Sequence, residues 1–374
     1  MPHPRTILFV GGGSGGHIYP NLAVAERLPP EVATPHLVVS ERPLDAQIAE
    51  DSGLAHTAIP AVPLSLRPRA GLRFLREYRR GRAAVTELIR KTNAVAMVAT
   101  GGFVSGPAVT AAKAAGLPVA LVSLDAVPGR ANRFTARRAT AVFSAFETHG
   151  GVRTLPAMEV IGFPLRRAAV ARPEVSPAEA RTHFGSDPEK KTLLVFAGSQ
   201  GARTINGVML RLADLWAEHA KRGLQILHVV GPGQDASLSL QQRYDGGGIP
   251  AKVLPFCHRM DLAWRAADVA VTRCGAGTVA EAWANAVPSV MLPYPFHKDE
   301  HQKHNAAPLV ALGGAVVVKD RIDPVENAAA LRGVLEPLFG DGPERDAMRR
   351  AMLDHPPPDG AQRLADWVRD RLGP

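Results

Sequence analysis

The chain has 374 residues, of which 46% are hydrophobic and 21% are charged, and its formal net charge is +9. The chain is longer than one hydrophobic core usually serves, which favours two domains. Its net positive charge predicts an anionic partner. The two cysteines, Cys257 and Cys274, form neither a metal-ligand spacing nor a disulfide scaffold, which favours a reducing cytosol. No run reaches the roughly 18 apolar residues of a membrane span, so any membrane contact is expected to be peripheral.

Short apolar runs alternate with helical stretches along the chain, which is typical of parallel strands covered by helices on both faces. The strands predicted before residue 168 are 6–10, 35–39, 94–99, 118–123 and 141–144. A polar, proline-containing stretch at 168–191 is interpreted as a linker. The strands predicted after it are 192–197, 225–230, 252–254, 269–272, 289–292 and 315–318. The sequence therefore predicts two doubly wound, Rossmann-like α/β domains.

A glycine-rich loop, Gly11 to Gly16, follows the first predicted strand and ends at His17. Glycines let the backbone approach an anionic group, and the following helix offers its N-terminal N–H groups. The loop also has the Gly-x-Gly-x-x-Gly spacing of dinucleotide-binding proteins, so a nicotinamide oxidoreductase is an open alternative. His17 is suited to accept a proton from a ligand, or equally to make a structural hydrogen bond.

Three more glycine-containing loops repeat this strand, loop and helix arrangement, at 101–107, 197–202 and 273–281. In the last of them, backbone N–H groups and Thr278 can bind a diphosphate, and Glu281 can accept hydrogen bonds from two ribose hydroxyls. A polar segment with His301 and Gln302, suited to sugar hydroxyls, follows. Glycine loops in both halves favour a substrate held between two domains over a single dinucleotide site.

Five ordered blocks resemble the MurG family: 12–17 with Pro20, 101–107, 198–202, 275–281, and 301–302 with Asn305. Members of that family are UDP-N-acetylglucosamine transferases that convert lipid I to lipid II in peptidoglycan synthesis. The resemblance covers nearly the whole chain and implies the GT-B fold, two Rossmann-like domains facing each other across a cleft. It implies an acceptor domain at 1–166, joined by a C-terminal helix at 358–374, and a UDP-sugar domain at 167–357. It also implies an inverting transfer that needs no metal or cofactor.

The resemblance further implies roles for individual residues. Those expected at the donor or its phosphates are Ser14, Gly15, Gly16, Arg166, Ser199, Cys257, Ala276, Gly277, Thr278, Val279, Ala280, Glu281, His301 and Gln302. Ser14, Gly15 and Gly16 would face donor or acceptor phosphates, and a backbone group at Cys257 would read the uracil. His17 is the expected base, with Asp125 a less conventional one.

One block departs from the family pattern. Residues 122–125 read Val-Ser-Leu-Asp where the family typically has His-Glu-Gln-Asn. This strand end is expected to face the acceptor. Two alternatives therefore stay open: a relative that glycosylates another lipid or glycan, and a non-catalytic nucleotide-sugar-binding protein docked at the membrane.

A basic segment at 66–91 carries nine cations and two acids, with leucines, Phe74 and Tyr78 between them. Such a segment favours contact with an anionic membrane surface, although a solvated helix with its apolar side in the core is the alternative. The few aromatic residues and the lack of a recognised module argue against nucleic acid. With a lipid-linked acceptor, these features predict a peripheral protein at the cytoplasmic face of the inner membrane.

Overall fold

The computed structural model describes residues 5–65, 67–147, 158–196, 203–231, 236–297, 299–340 and 343–372. The strands are β1 (Arg5–Val10), β2 (Ala33–Ser40), β3 (Ala55–Ile59), β4 (Ala96–Ala99), β5 (Val119–Ser123), β6 (Ala141–Ser144), β7 (Met158–Val160), β8 (Lys191–Phe196), β9 (Leu224–Val229), β10 (Ala251–Leu254), β11 (Val269–Thr272), β12 (Ser289–Met291) and β13 (Ala315–Val317).

The α-helices alternate with these strands through most of the chain. They are α1 (Gly15–Ala25), α2 (Pro43–Asp51), α3 (Pro68–Thr92), α4 (Ser105–Ala114), α5 (Arg130–Ala136), α6 (Pro177–His183), α7 (Arg203–Arg211), α8 (Ala213–Ala220), α9 (Ala236–Gly246), α10 (Met260–Ala266), α11 (Ala276–Ala284), α12 (His301–Ala311), α13 (Pro324–Phe339), α14 (Pro343–Asp354) and α15 (Gly360–Leu372).

The chain divides into two compact units, Met1–Arg167 with Pro358–Pro374 and Ala168–Pro357. Within the described residues, the first unit holds seven parallel strands in the order β3-β2-β1-β4-β5-β6-β7. The second holds six parallel strands, again counted in the described part, in the order β10-β9-β8-β11-β12-β13. The strand order reverses between β1 and β4 and between β8 and β11, which are the positions where doubly wound sheets bind ligands.

Each predicted strand is present, with ends shifted by at most two residues. The strands β3 and β7 were not predicted, because each lies at a sheet edge and buries few of its side chains. The interpretation of 168–191 as a linker was wrong in part, because this stretch contains α6. That helix begins at a capping box in which Ser176 and Glu179 satisfy each other's backbone N–H groups, and it packs against α10.

The C-terminal helix α15 packs against α1 in the first unit. Its apolar side, including Leu364 and Val368, is buried in one cluster with Ile7 and Phe9 of β1. A close backbone contact lies at the start of the helix, since a Cβ on Gly360 would approach the Gly162 carbonyl oxygen to 2.2 Å. Glycine at this position therefore lets α15 reach the core of the first unit.

Replacing Gly360 by alanine is expected to lower the thermal midpoint of unfolding. The added methyl group would overlap the Gly162 carbonyl, and relieving the overlap costs roughly 1–3 kcal/mol. Calorimetry of Gly360→Ala measures the loss. Gly71→Ala, in α3 of the same unit, is the control, because a Cβ there would meet the Ser65 carbonyl oxygen only at 3.4 Å. Equal midpoints for the two variants would contradict this reading of the contact.

Candidate active site

The loops that follow β1 and β4 lie against each other where the strand order of the first sheet reverses. Gly102 has a φ of +76°, and a Cβ on it would meet the Gly12 carbonyl oxygen at 2.2 Å. Only glycine is compatible with both the backbone conformation and the contact. The spacing of the two glycine loops therefore reflects their packing on each other as well as access for a ligand.

His17 is half-buried in the first turn of α1, and its Nδ1 lies 3.0 Å from the Thr100 carbonyl oxygen. Because a carbonyl oxygen only accepts hydrogen bonds, we assign the proton of the neutral ring to Nδ1. Nε2 then carries the lone pair that a general base needs. The structural hydrogen bond and the catalytic role, which are alternatives in the sequence, are compatible in this geometry.

The start of α1 suits an anion. Ser14 is the N-cap, its side chain makes no capping hydrogen bond, and Gly15 and Gly16 open the helix. The first N–H groups of a helix have no intrahelical acceptor, and the helix dipole is positive at this end. The expected phosphate-facing role of these three residues therefore stays a prediction with a suitable local geometry.

Asp45, a residue that sequence reasoning missed, shapes the same loop from α2. Its buried carboxylate accepts hydrogen bonds from the Gly13 N–H at 2.5 Å and from the Ser40 hydroxyl. Arg42 donates to the Gly13 carbonyl oxygen at 3.0 Å and lies 4.7 Å from the centre of the Phe103 ring. An acidic residue in the first turn of a helix is common, so the sequence alone gave no signal for this role.

The block that departs from the family pattern lies at the end of β5, beside β4. Val122, Ser123 and Leu124 are only 0%, 1% and 2% exposed, so the expectation that the whole block faces an acceptor was wrong for these three residues. The side chains of Val122 and Leu124 belong to the apolar core of the first unit. Asp125 is half-buried, and its carbonyl oxygen accepts a hydrogen bond from the Ser123 hydroxyl at 3.1 Å. The departure therefore concerns three buried residues, two of them in the apolar core, and a half-buried aspartate at the fourth position.

Arg166 lies in the first unit, one residue before its Met1–Arg167 segment ends. Its Nε donates to Glu26 at 2.8 Å, and its guanidinium lies 5.8 Å from the Tyr19 ring centre. Both partners belong to the first unit, so the charge of Arg166 is paired locally. Its role toward a donor diphosphate stays a prediction, and in that role the phosphate would compete with Glu26.

In the second unit, Arg273 connects the loops that follow β11 and β12. This buried guanidinium donates to the carbonyl oxygens of Leu292 and Pro293 at 3.1 and 3.3 Å and to Asp320 at 2.7 Å. Its other terminal nitrogen bonds the Thr204 hydroxyl at 2.5 Å. Burial raises the pKa of Asp320, but the hydrogen bonds led by that of Arg273 outweigh it and hold the pKa below its ordinary value. The sequence alone assigned no role to Arg273, the first residue of the 273–281 loop, and the structure supplies one.

The amino end of α11 is the second helix start with a geometry that suits an anion. Gly275 is the N-cap, and Ala276, Gly277 and Thr278 form the first turn, whose N–H groups have no intrahelical acceptor. Val279 and Ala280 follow the first turn of α11, and their side chains are buried. Any contact that these two make with a ligand must come from the backbone.

Glu281, one turn into α11, accepts a hydrogen bond from the Trp264 indole N–H at 2.8 Å. Burial raises the pKa of this carboxyl group to about 7, and the indole N–H opposes the rise. Near neutral pH the group therefore exchanges between its two protonation states. A partner with two hydroxyl donors would favour the carboxylate, which can only accept.

The first turn of α12 holds two more predicted residues, His301 and Gln302. The side-chain oxygen of Gln302 accepts a hydrogen bond from the Tyr294 backbone N–H at 2.9 Å, which joins Tyr294 to the start of α12. The ring of His301 lies 2.8 Å from an Asp299 carboxylate oxygen and stacks on His297 with 4.3 Å between ring centres. The roles of His301 and Gln302 toward a sugar stay predictions.

Two predicted residues remain. Cys257 follows β10, and burial raises the pKa of its thiol, so a ligand contact there would involve the backbone, as expected from the resemblance. Ser199, with the rest of 197–202, lies outside the described residues.

The basic segment forms most of α3. Its second half buries an apolar side, with Val85, Leu88 and Ile89 in the core. Its first half instead exposes Leu72 and Leu75, by 72% and 45%, among arginine side chains. The structure therefore combines the two alternatives, a core-packed helix and an exposed apolar and basic face. None of the described helices is both long enough and apolar enough to span a bilayer.

The exposed face of α3 extends onto α5. The Tyr78 ring lies 6.4 Å, edge to face, from that of Phe134, which is exposed. Arg138 lies 3.8 Å from the centre of the Phe134 ring. Exposed aromatic and aliphatic side chains therefore adjoin arginines of α3 and Arg138, which follows α5.

Comparison with known proteins identifies the family. The N-terminal domain model of glycosyltransferase family 28 matches residues 7–144, and the C-terminal domain model matches residues 192–364. The UDP-N-acetylglucosamine--N-acetylmuramyl-(pentapeptide) pyrophosphoryl-undecaprenol N-acetylglucosamine transferase of Clavibacter sepedonicus is 36% identical over 370 residues, which are 98% of this chain and 96% of the relative. The chain belongs to the MurG family. A relative of the same name from Streptomyces coelicolor is 39% identical and aligns over 84% of this chain and 84% of its own. Another, from Mycolicibacterium paratuberculosis, is 35% identical and aligns over 99% of this chain and 90% of its own.

Solved structures agree on the fold. MurG of Acinetobacter baumannii superposes with a TM-score of 0.71 at 23% identity, covering 98% of this chain and all of that one. The glycosyltransferase of kitacinnamycin gives 0.66 at 19% identity and covers 100% of both chains. The resemblance to MurG and the predicted GT-B fold are confirmed, and the family membership speaks against the oxidoreductase alternative.

Replacing Arg273 by lysine is expected to destabilise the protein by about 3 kcal/mol, because one ammonium group cannot serve all the partners of the guanidinium and buried Asp320 loses a partner. Urea unfolding measures the change. Arg332→Lys is the control, since its pair with Asp214 is exposed and is expected to contribute less than about 1 kcal/mol. Equal losses for the two variants would refute the role of Arg273.

Proposed function

We propose that the protein transfers N-acetylglucosamine from UDP-N-acetylglucosamine, with inversion, to the muramyl-pentapeptide polyprenyl diphosphate lipid, converting lipid I to lipid II. The observation that supports the proposal is that relatives named for this one activity match both units over nearly their whole length. The glycine loops and the amino end of α11 supply the anion-type geometry that a nucleotide-sugar reaction needs.

The donor is assigned to the second unit. The N–H groups of Ala276, Gly277 and Thr278 would bind its diphosphate, and Glu281 would accept hydrogen bonds from its ribose hydroxyls. Backbone groups at Cys257 would meet the uracil, and Gln302, with His301 beside it, would meet the sugar. The Arg273 network joins the loop before α11 to the loop after β12, so the N–H groups at the start of α11 would need little reorganisation as charge develops on the departing UDP.

The acceptor is assigned to the first unit, with His17 as the base. The acceptor hydroxyl gives its proton to Nε2 of His17 while its oxygen attacks the anomeric carbon of the donor sugar. The bond from that carbon to the UDP oxygen breaks, and UDP leaves with the electron pair. A single displacement of this kind inverts the anomeric centre. Asp125, which follows β5 of the same sheet, is the second candidate for the base.

The exposed face formed by α3 and α5 is proposed to hold the protein at the cytoplasmic face of the membrane. Leu72, Leu75 and Phe134 would enter the interface, and the surrounding arginines would meet anionic headgroups. Such an orientation would bring the first unit, to which the acceptor is assigned, next to the lipid that carries it.

Transfer itself is tested by incubating the purified protein with radiolabelled UDP-N-acetylglucosamine and the undecaprenyl muramyl-pentapeptide lipid in detergent. Label in the lipid fraction is the expected result. Donor binding without label in the lipid would favour another acceptor or a non-catalytic role, the alternatives that residues 122–125 raised.

Replacing His17 by alanine is expected to lower turnover by roughly 10²–10⁴-fold while the dissociation constant of UDP changes little, because the base acts on the acceptor. Steady-state kinetics and calorimetric titration measure the two quantities. His56→Ala is the control, since this exposed histidine also places Nδ1 beside a backbone carbonyl, that of Leu54 at 3.2 Å. Unchanged turnover in His17→Ala would remove His17 from the mechanism.

Replacing Arg69, Arg73 and Arg79 by glutamine in one variant is expected to weaken binding to phosphatidylglycerol vesicles by roughly 100-fold, because each cation contributes about 1 kcal/mol. Co-sedimentation measures the partition. The control variant changes three exposed arginines of the second unit, Arg211, Arg243 and Arg350, and has the same net charge. If both variants lose equal affinity, the attraction depends on total charge, and the assignment to α3 is wrong.

A further inference from the structure

Trp264 lies on α10 and is 1% exposed, so its ring has no open face on which a ligand could stack. Its indole N–H donates to Oε2 of Glu281 at 2.8 Å, across 17 positions of the sequence. The ring also packs edge to face on Phe196, with 6.5 Å between the ring centres. Packing therefore holds the indole N–H in a fixed direction, aimed at one carboxylate oxygen.

The carboxyl group of Glu281 has two oxygens, and the indole engages one of them. Glu281 itself is half-buried, so the residue retains some exposure although protein atoms surround its carboxyl group. A carboxylate can accept on both oxygens at once. With Oε2 held by Trp264, Oε1 is the oxygen left to accept a hydrogen bond from a further donor.

Most charged and titratable groups on the adjoining elements have partners other than Glu281. Those elements carry Asp261 and Arg265 on α10, Arg273 before α11, and His301, Lys303 and His304 on α12. Asp261 pairs with Arg259, Arg273 with Asp320, and His301 with Asp299. The influences on the Glu281 pKa are burial, which raises it, and the Trp264 hydrogen bond, which lowers it. Trp264 is thus the neighbour that favours the carboxylate.

We propose that Trp264 is a positioning residue of the donor site: it holds one oxygen of the Glu281 carboxylate so that the other receives the ribose hydroxyls of the nucleotide sugar, and it thereby sets the pH range of donor binding. This inference rests on the proposed function, in which Glu281 meets the ribose. Trp264 itself does not touch the donor and acts through Glu281.

The sign of the pH effect follows from the acid at Glu281. Above a pH of about 7 the group is a carboxylate ready to accept both hydroxyls, and as the pH falls through about 7 it gains a proton. The affinity for the nucleotide sugar is therefore highest at alkaline pH. Below the midpoint, the pH at which half of Glu281 is protonated, the affinity falls by up to about tenfold per pH unit. Removing the indole N–H takes away the group that favours the carboxylate, so the midpoint moves to higher pH.

The test is calorimetric titration of the whole protein with UDP-N-acetylglucosamine over a range of pH. This probe is suitable because its diphosphate is esterified at both ends and does not titrate near neutrality. Trp264→Phe is expected to bind several-fold more weakly than the parent protein at pH 7, to recover most of the difference at alkaline pH, and to show a midpoint shifted upward. Glu281→Gln is expected to bind weakly with no midpoint in this range.

The control is Trp216→Phe, which also removes a buried indole hydrogen bond in the second unit, to the Met209 carbonyl oxygen at 2.9 Å. It is expected to leave the midpoint unchanged. If Trp264→Phe does not fold, benzothienylalanine at this position removes the N–H and keeps the shape. An unshifted midpoint in the folded Trp264 variant would overturn the inference. Failure of the parent protein to bind the nucleotide sugar would instead overturn the proposed function.

Discussion

All strands of both described sheets run parallel, and this constraint places most of the described residues of the candidate site. A parallel strand brings its carboxyl end and the amino end of the next helix to the same edge of the sheet, where unpaired backbone N–H groups gather. His17 follows β1 and the first turn of α11 follows β11, and both strands border a reversal of strand order. An anionic substrate can therefore be bound largely by the backbone, which explains why glycine loops dominate the sequence pattern.

Backbone recognition requires loops that keep their shape, and buried polar side chains supply that rigidity. Asp45 holds the first glycine loop by the Gly13 N–H, and Arg273 joins the loops after β11 and β12 to Asp320. Each of these charges is buried with hydrogen-bonding partners, as a low-dielectric interior demands. Because removing one partner leaves the other unpaired, these side chains are expected to tolerate little change.

The strands and glycine loops could be predicted because their signal is local: apolar runs followed by glycines in strand, loop and helix order. The edge strands β3 and β7 and the helix α6 gave weaker local signals, since edge strands bury little and α6 is a single short helix within a polar stretch. Contacts across long sequence separations, such as those of Trp264 with Glu281 and Arg273 with Asp320, leave no periodic trace. The same limit explains the misjudged block at 122–125, because burial depends on the α15 core that forms from the far end of the chain.

A structure of the protein with UDP bound tests the central claim most directly, namely that the second unit holds the donor and the first supplies the base. The account predicts the diphosphate at the amino end of α11 and the ribose hydroxyls within hydrogen-bonding distance of Glu281, with the indole of Trp264 still bonded to its carboxylate. UDP bound instead with its diphosphate on the loop from Gly11 to Gly16 would contradict the account, because the two sheets would then have exchanged roles.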